Sequence, residues 1–435
     1  MSDDLFGLAE DLLRAAKAAG ADVAQTSLGI GTSISVQRRL GKIEETERAE
    51  GRGMGLRVFV GQKVANVSAG SIDPAAFQRL AEQAVAMARV VPDDIYAEIP
   101  EAPPPIDAGF LELDDAVEPS METLIARTAA AEDAAMAVKG ITNSEGASAS
   151  WGRSQSVLVT SRGFAGSYIR SNHSVSATAI AGAGTDMQRD YDYSSAVHGS
   201  DLEDPAVLGK RAAEQALARM NPGRPKTGKL PVVFHPRVSG GMLGHLSSAI
   251  NGASIARGTS FLREKLGQRI FAAGIDIIDD PLRVRGQRSR AFDGEGQRGT
   301  VRKFIEDGVL TSWILDTRSA NQLGLKTTGN AGGTSNFYMM PGNLSPAALM
   351  ADITEGLFVT EMIGMGINGL TGDYSRGAAG FMIRGGVLAE PVAEITIAGN
   401  LIDMFAAIIP ANDLVFKRGT DAPTIRIDGM TMAGA

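Results

Sequence analysis

LTGDYSRGAAGF, Leu370–Phe381, and AEITIAGNLIDM, Ala393–Met404, are the most informative stretches of this chain. Their glycines and polar residues follow no simple secondary-structure period. Gly372, Gly377, Gly380 and Gly399 mark places where the backbone turns tightly or approaches another segment closely. Asp373, Tyr374, Ser375 and Arg376 sit between the first two of them. The neighbouring run GFMIRGGVLAEPVAEITIA is β-like, so the expectation is a polar loop carried on strands. On such a loop Arg376 offers fixed donors to a peptide carbonyl or a carboxylate, or pairs with Asp373 to hold the loop.

Working back along the chain, LPVVFHPRVSGGMLGHLSSAINGASIARGTS covers Leu230–Ser260. A β-rich start leads into His235 and Pro236, which suit a helix N-terminus because proline's missing N–H is harmless in the first turn. Val238, Met242, Leu243, Leu246, Ala249 and Ile250 then recur at three- and four-residue spacing and give the helix one apolar face.

These two regions resemble the TldD/PmbA family, also called modulators of DNA gyrase. The resemblance implies a two-subunit cytoplasmic metalloprotease, in which a metal-bearing subunit is joined by a sister, PmbA or TldE, that has lost the metal. In metal-bearing members the helix resembles a carrier of His-Glu-x-x-x-His, with two imidazoles on zinc and the Glu as general base. Laid over this sequence, the first His falls on His245, the Glu on Leu246 and the second His on Ile250. The family's metal site also resembles one completed by a C-terminal Cys, and this chain has no cysteine. Zinc sites need at least three protein ligands, so His245 is expected to be a packed helix histidine. The resemblance therefore implies the metal-less sister: no cofactor in this chain, and zinc in its partner.

Composition fits a large globular protein, with 435 residues of which 44% are hydrophobic and 21% charged. No run of about 18 apolar residues suggests a membrane helix. The N-terminal stretch MSDDLFGLAEDLLRAAKAAG lacks the basic-then-apolar order of a signal peptide, and a cytoplasmic location is the expectation. Net charge is −8 without a basic stripe, which argues against nucleic acid. Arg283, Arg285, Arg288 and Arg290 cluster in PLRVRGQRSRAF and read as a solvated or subunit-facing loop.

A helix over Asp3–Ala19 is expected first. Separate antiparallel strands follow in DVAQTSLGI, SISVQRRL, KIEETERAE, GMGLRVFV and KVANVSA, with a turn at Gly61 and Gln62. After a helix near Pro74–Val90, the proline-rich acidic segment Pro100–Pro119 reads as a surface loop. A second block runs from a helix at Met121 through further strands to a helix at Pro205–Arg219, so helix, meander and helix occur twice. His173 and His198 read as polar positions on a half-exposed sheet. The stretch Met220–Lys229 looks like an exposed connection between residues 1–222, an N-terminal α+β domain, and residues 223–435, a mainly β domain holding the vestigial helix.

In the second half, Asp293 and Glu295 of FDGEGQRGT resemble a carboxylate pair, but the flanking glycines make a turn the first explanation. Asp307 and Gly308 predict a two-residue hairpin turn. The Gly-rich region Arg318–Gly342 has no phosphate-loop spacing. Its Thr328, Gly329, Asn330, Tyr338, Met339, Pro341 and Gly342 resemble both kinds of family subunit.

The sequence thus predicts an α+β fold with largely antiparallel sheets. Its expected function is that of a non-catalytic subunit of a zinc-dependent peptidase, shaping a chamber for extended or unfolded peptide. Asn330, Tyr338, Tyr374 and Arg376 are the candidate chamber residues, and extended peptide suits a sheet edge with Gly-rich walls. The expected partner is a metal-bearing TldD-type subunit, or a second copy of the chain; membrane and nucleic acid are not expected. The rivals are a homodimeric scaffold without protease activity and a hydrolase with an unrecognised site, for example one built on Ser375. No GxSxG or SxxK spacing supports the latter.

Overall fold

A computed structural model describes residues 4–105 and 107–434. It begins with helix α1 (Leu5–Ala18), where Asp4 accepts the N–H of Gly7 and Leu5, Ala9, Leu12 and Ala16 are buried along one face. Strands β1 (Val23–Arg39), β2 (Lys42–Val60) and β3 (Lys63–Ala69) follow, then α2 (Phe77–Val90). The pattern recurs as α3 (Met121–Met136), β4 (Ile141–Thr160), β5 (Ala165–Ala181), β6 (Gln188–Ala196) and α4 (Pro205–Ala218). The six strands form one antiparallel sheet in the order β3-β2-β1-β4-β5-β6, so the two meanders abut through their first strands. Helices α1 and α2 pack mainly on the β1–β3 half, α3 and α4 on the β4–β6 half.

The expected short strands merge. DVAQTSLGI and SISVQRRL lie in the single 17-residue β1, and KIEETERAE and GMGLRVFV in the 19-residue β2. The glycines between them are not turns: Gly29 sits opposite Gly53 and Gly31 opposite Gly51 inside an unbroken ladder. A true turn stands at Gly61, with φ 59°.

Gly209 has a different task. A Cβ there would stand 1.8 Å from the carbonyl oxygen of Ala131, so bare backbone lets α4 lie against α3. Gly209→Val is expected to cost roughly 3 kcal/mol by overpacking. Gly51→Val, where a Cβ meets nothing within 4 Å, should stay near neutral. Urea unfolding of the two variants checks the contrast, and equal stabilities would contradict it.

Two expectations for this half are corrected. Within Pro100–Pro119, Leu111 and Leu113 are buried with Leu158, Phe164 and Phe292, because the segment is a strap whose leucines fill the seam between the sheet and the second half. His173 is buried, with Nε2 3.0 Å from Asp115 Oδ2, rather than half-exposed. His198 lies beyond β6, its Nε2 2.8 Å from the carbonyl of Glu112.

The second half contains β7 (Gly228–Phe234), α5 (Pro236–Ala249), α6 (Gly252–Ala256), β8 (Ile277–Asp280), β9 (Arg302–Glu306), β10 (Val309–Leu310), α7 (Thr317–Leu323) and β11 (Asn336–Met339). It continues through α8 (Pro346–Met350), β12 (Glu355–Ile363), β13 (Asp373–Arg384), β14 (Val387–Asn400), α9 (Leu401–Ala407), β15 (Ile409–Pro410), β16 (Thr420–Asp421) and β17 (Ile425–Ala433). β14 pairs with both β13 and β17, so β14-β13-β12-β7-β17 closes into a ring with β12 and β7 parallel. A smaller sheet runs β10-β9-β8-β11-β16. Asp307 and Gly308, both at positive φ, make the hairpin turn between β9 and β10. The main core, with Phe234, Leu243, Leu246, Phe304, Phe337 and Phe405, joins the ring, α5 and the smaller sheet. The fold is α+β with largely antiparallel sheets. Among the described residues, no helix is long and apolar enough to cross a membrane.

Asp373–Gly380 is strand, not loop: β13 runs between β12 and β14, and only Gly372, at φ 79° just before it, turns the chain. Gly380 serves close approach, since a Cβ there would fall 1.9 Å from the carbonyl oxygen of Phe358. The arginine cluster is also no free surface. Arg283 stacks over Phe416, Arg285 pairs with Glu112 and Asp201, and Arg290 donates to the carbonyl of Gly333.

Candidate functional site

Helix α5 starts where expected. His235 Nδ1 accepts the N–H of Arg237 at 3.1 Å and Pro236 occupies the first turn. Met242, Leu243, Leu246 and Ala249 are buried, and Ile250 caps the C-terminus. Leu246 and Ile250 are both 0% exposed and sit in the main core. His245 takes another direction and meets the ring of Tyr374 edge-on at 5.8 Å.

The alternation of β13 puts Tyr374 on the buried side and Asp373 and Ser375 on the exposed side. Asp373 is therefore engaged by Thr371 and Asn400, and of the two roles open to Arg376 the pairing with Asp373 is not the one formed. Arg376 is half-buried beside Tyr374 and His245. Burial, and then the Arg376 charge, push the His245 imidazole down to about 4. Burial raises the Tyr374 phenol well above its usual range, with Arg376 pulling the other way. Both groups stay neutral near pH 7. His245 Nε2 and Arg376 Nε are buried without a partner among the described residues.

A zinc ion does not fit this set. His245 is one donor beside a guanidinium, the overlaid positions Leu246 and Ile250 offer none, and the sequence holds no thiolate. Among the described residues, no three His, Cys, Asp or Glu side chains converge as a metal site would require.

Instead, Arg376 faces a cavity of about 400 Å³ where β6, the end of α4, α5, β12 and β13 meet. Asp190, Arg219, Arg237, Thr360 and Glu361 share its wall. Asp190, 3% exposed, accepts from Arg219 at 3.3 Å and Arg237 at 2.7 Å, and Arg219 also pairs with Glu361. None of these was singled out in the sequence: Asp190 and the arginines sit in ordinary helix and strand contexts, and no local pattern announces that they converge.

The other chamber candidates lie elsewhere. Asn330 is buried, its Nδ2 donating to Asp279 Oδ2 at 2.8 Å. Tyr338 lies on β11 with its ring against Phe416. Neither is on the wall of this cavity. Asp293 accepts the backbone N–H groups of Glu295, Gln297 and Ala331, and Glu295 accepts from the N–H and hydroxyl of Thr317. Asp293 thus shapes a turn, while Glu295 holds the start of α7 and lies 3.7 Å from Arg57. Ser375 is exposed on the side of β13 away from His245.

A pH dependence follows from α5. His235, like His245, is pushed from 6.5 to about 4, mainly by burial. Because the folded values are depressed, the unfolded chain takes up protons first. Stability is fully present above about pH 6.5 and falls as pH drops toward 4, by up to about 3 kcal/mol per histidine. Melting temperature measured across this range should fall less steeply for His245→Gln than for the unaltered chain. Parallel curves would refute the assignment.

Three family profiles match the chain: PmbA/TldA metallopeptidase domain 1 at residues 27–88, the central domain at 114–220 and the C-terminal domain at 227–434. The chain is 37% identical to the metalloprotease PmbA of Escherichia coli O157:H7, over 97% of this chain and 94% of that one. A solved structure from Bacteroides thetaiotaomicron, provisionally named a modulator of DNA gyrase, superposes with TM-score 0.89 at 25% identity and full coverage of both chains. The fold also matches TldE from Thermococcus kodakarensis, with TM-score 0.84 at 19% identity, covering 98% of this chain and all of that one.

Proposed function

The chain belongs to the PmbA/TldD metallopeptidase family, and on that premise we propose that it is the non-catalytic partner subunit of a zinc-dependent peptidase. In this reading a metal-bearing TldD-type subunit supplies zinc and general base. This chain closes the chamber around extended or unfolded peptide, and the complex works in the cytoplasm. One observation carries the proposal: on α5 the positions overlaid on the metal motif are the fully buried Leu246 and Ile250, while the lone His245 stands against a guanidinium. A metal-bound water needs ligands and a base, and these residues supply neither.

Tyr374 and Arg376 take part through the cavity side of β13. Asn330 and Tyr338 serve the chamber indirectly, by fixing the segments around β11 through Asp279 and Phe416. The test is coexpression with a metal-bearing relative from the same genome. The expected result is a stable heteromeric complex that cleaves an unfolded peptide, with neither chain active alone. Recovery of this chain only as a homodimer, with no effect on the relative's activity, would overturn the proposal in favour of a scaffold.

A further inference from the structure

Thr360 and Arg376 line the same cavity, and each holds a buried polar atom without a partner: among the described residues, neither Thr360 Oγ1 nor Arg376 Nε has one. The other charges on the wall are matched. Asp190 and Glu361 take up Arg219 and Arg237, and Arg189 pairs with Glu145. Arg376 has no carboxylate within 4.0 Å among the described residues, and the neighbouring His245 and Tyr374 are neutral near pH 7. The cavity therefore carries one positive charge that no described residue compensates.

Thr360 is held at this wall by a β-bulge. β12 pairs Val359 with Gly380 and Glu361 with Ala379, which leaves Thr360 out of the ladder. Gly380 makes this possible, because a side chain there would strike the Phe358 carbonyl. Gly241 of α5 also lines the cavity and leaves room there, since a Cβ would meet nothing within 4 Å.

An uncompensated guanidinium, a spare hydroxyl and a cavity of about 400 Å³ suit a small anionic group on an otherwise uncharged chain. We propose that this cavity binds a peptide carboxylate, with Arg376 donating to its oxygens and the Thr360 hydroxyl as a further donor. This rests on the reading of the chain as a peptide-chamber subunit and names the feature of the peptide that it holds.

The test is calorimetric titration of the full chain alone with three probes: N-acetylated tetra-alanine with a free C-terminus, its C-terminal amide, and an acetylated, amidated tetrapeptide with one internal glutamate. The free acid is expected to bind at least about tenfold more tightly than the amide, as loss of a charge-assisted contact implies. Tight binding of the glutamate peptide as well would make the site one for any peptide carboxylate; weak binding would restrict it to the chain terminus. Arg376→Gln and Thr360→Val should each erase or reduce the preference for the acid. Gly241→Leu, at a wall position where a Cβ meets nothing within 4 Å, should abolish binding while the melting temperature holds. Equal affinity for acid and amide, no binding of either, or a preference untouched by Gly241→Leu would overturn the proposal. The outcome is separable from the subunit reading: carboxylate-selective binding with failed reconstitution removes only the partner role, and reconstituted cleavage without selectivity removes only this site.

Discussion

Leu246→Glu combined with Ile250→His is expected to give a chain that neither folds stably nor gains zinc or peptidase activity. Both side chains are 0% exposed and pack in the main core with Phe234, Leu243 and Phe337. The substitution removes two well-packed aliphatic groups and buries a carboxylate among apolar neighbours with no counter-charge at hand. Lost packing and desolvation together should cost on the order of 5 kcal/mol or more, comparable to the whole stability of many domains. Circular dichroism during thermal unfolding, with metal analysis of whatever remains soluble, checks this. A cooperatively folded variant holding one zinc per chain would mean that α5 retains a nearly complete metal site.

Asp190→Ala should destabilise the chain by about 3–5 kcal/mol, because it leaves Arg219 and Arg237 buried without their shared acceptor. Asp190 belongs to β6, Arg219 follows α4 and Arg237 opens α5, so one carboxylate pins the first sheet to the second half. Removing Arg237 as well should recover part of the loss, which a double-mutant cycle in urea would measure. A loss below about 1 kcal/mol would place the carboxylate among ordinary surface pairs.

Much of the fold was legible because its elements carry local signals. The capped, periodic α1 and α5 and the Asp307–Gly308 turn stand where the sequence puts them. Glycine was the main source of error. Within Val23–Val60 it suggests breaks between short strands and within Asp373–Arg384 a loop, yet there it provides bare surface or close approach inside strands. The difference is set by φ and by the neighbouring strand, neither of which is written in the local sequence. For the site, the placement of His245 on α5 could be read from helical spacing. That Tyr374 faces it, and that Asp373 turns away from Arg376, depends on the strand alternation the glycines concealed. The Asp190, Arg219, Arg237 and Thr360 wall joins residues up to 170 positions apart, which no sequence period can bring together.

Whether zinc chemistry belongs to a partner and not to this chain is decided by metal analysis of the two chains, separately and as the reconstituted complex, alongside peptide cleavage. The expected result is no stoichiometric zinc on this chain, zinc on the metal-bearing partner, and cleavage that needs both and is lost to a chelator. About one tightly bound zinc on this chain alone, removed together with a peptidase activity of its own, would contradict the account.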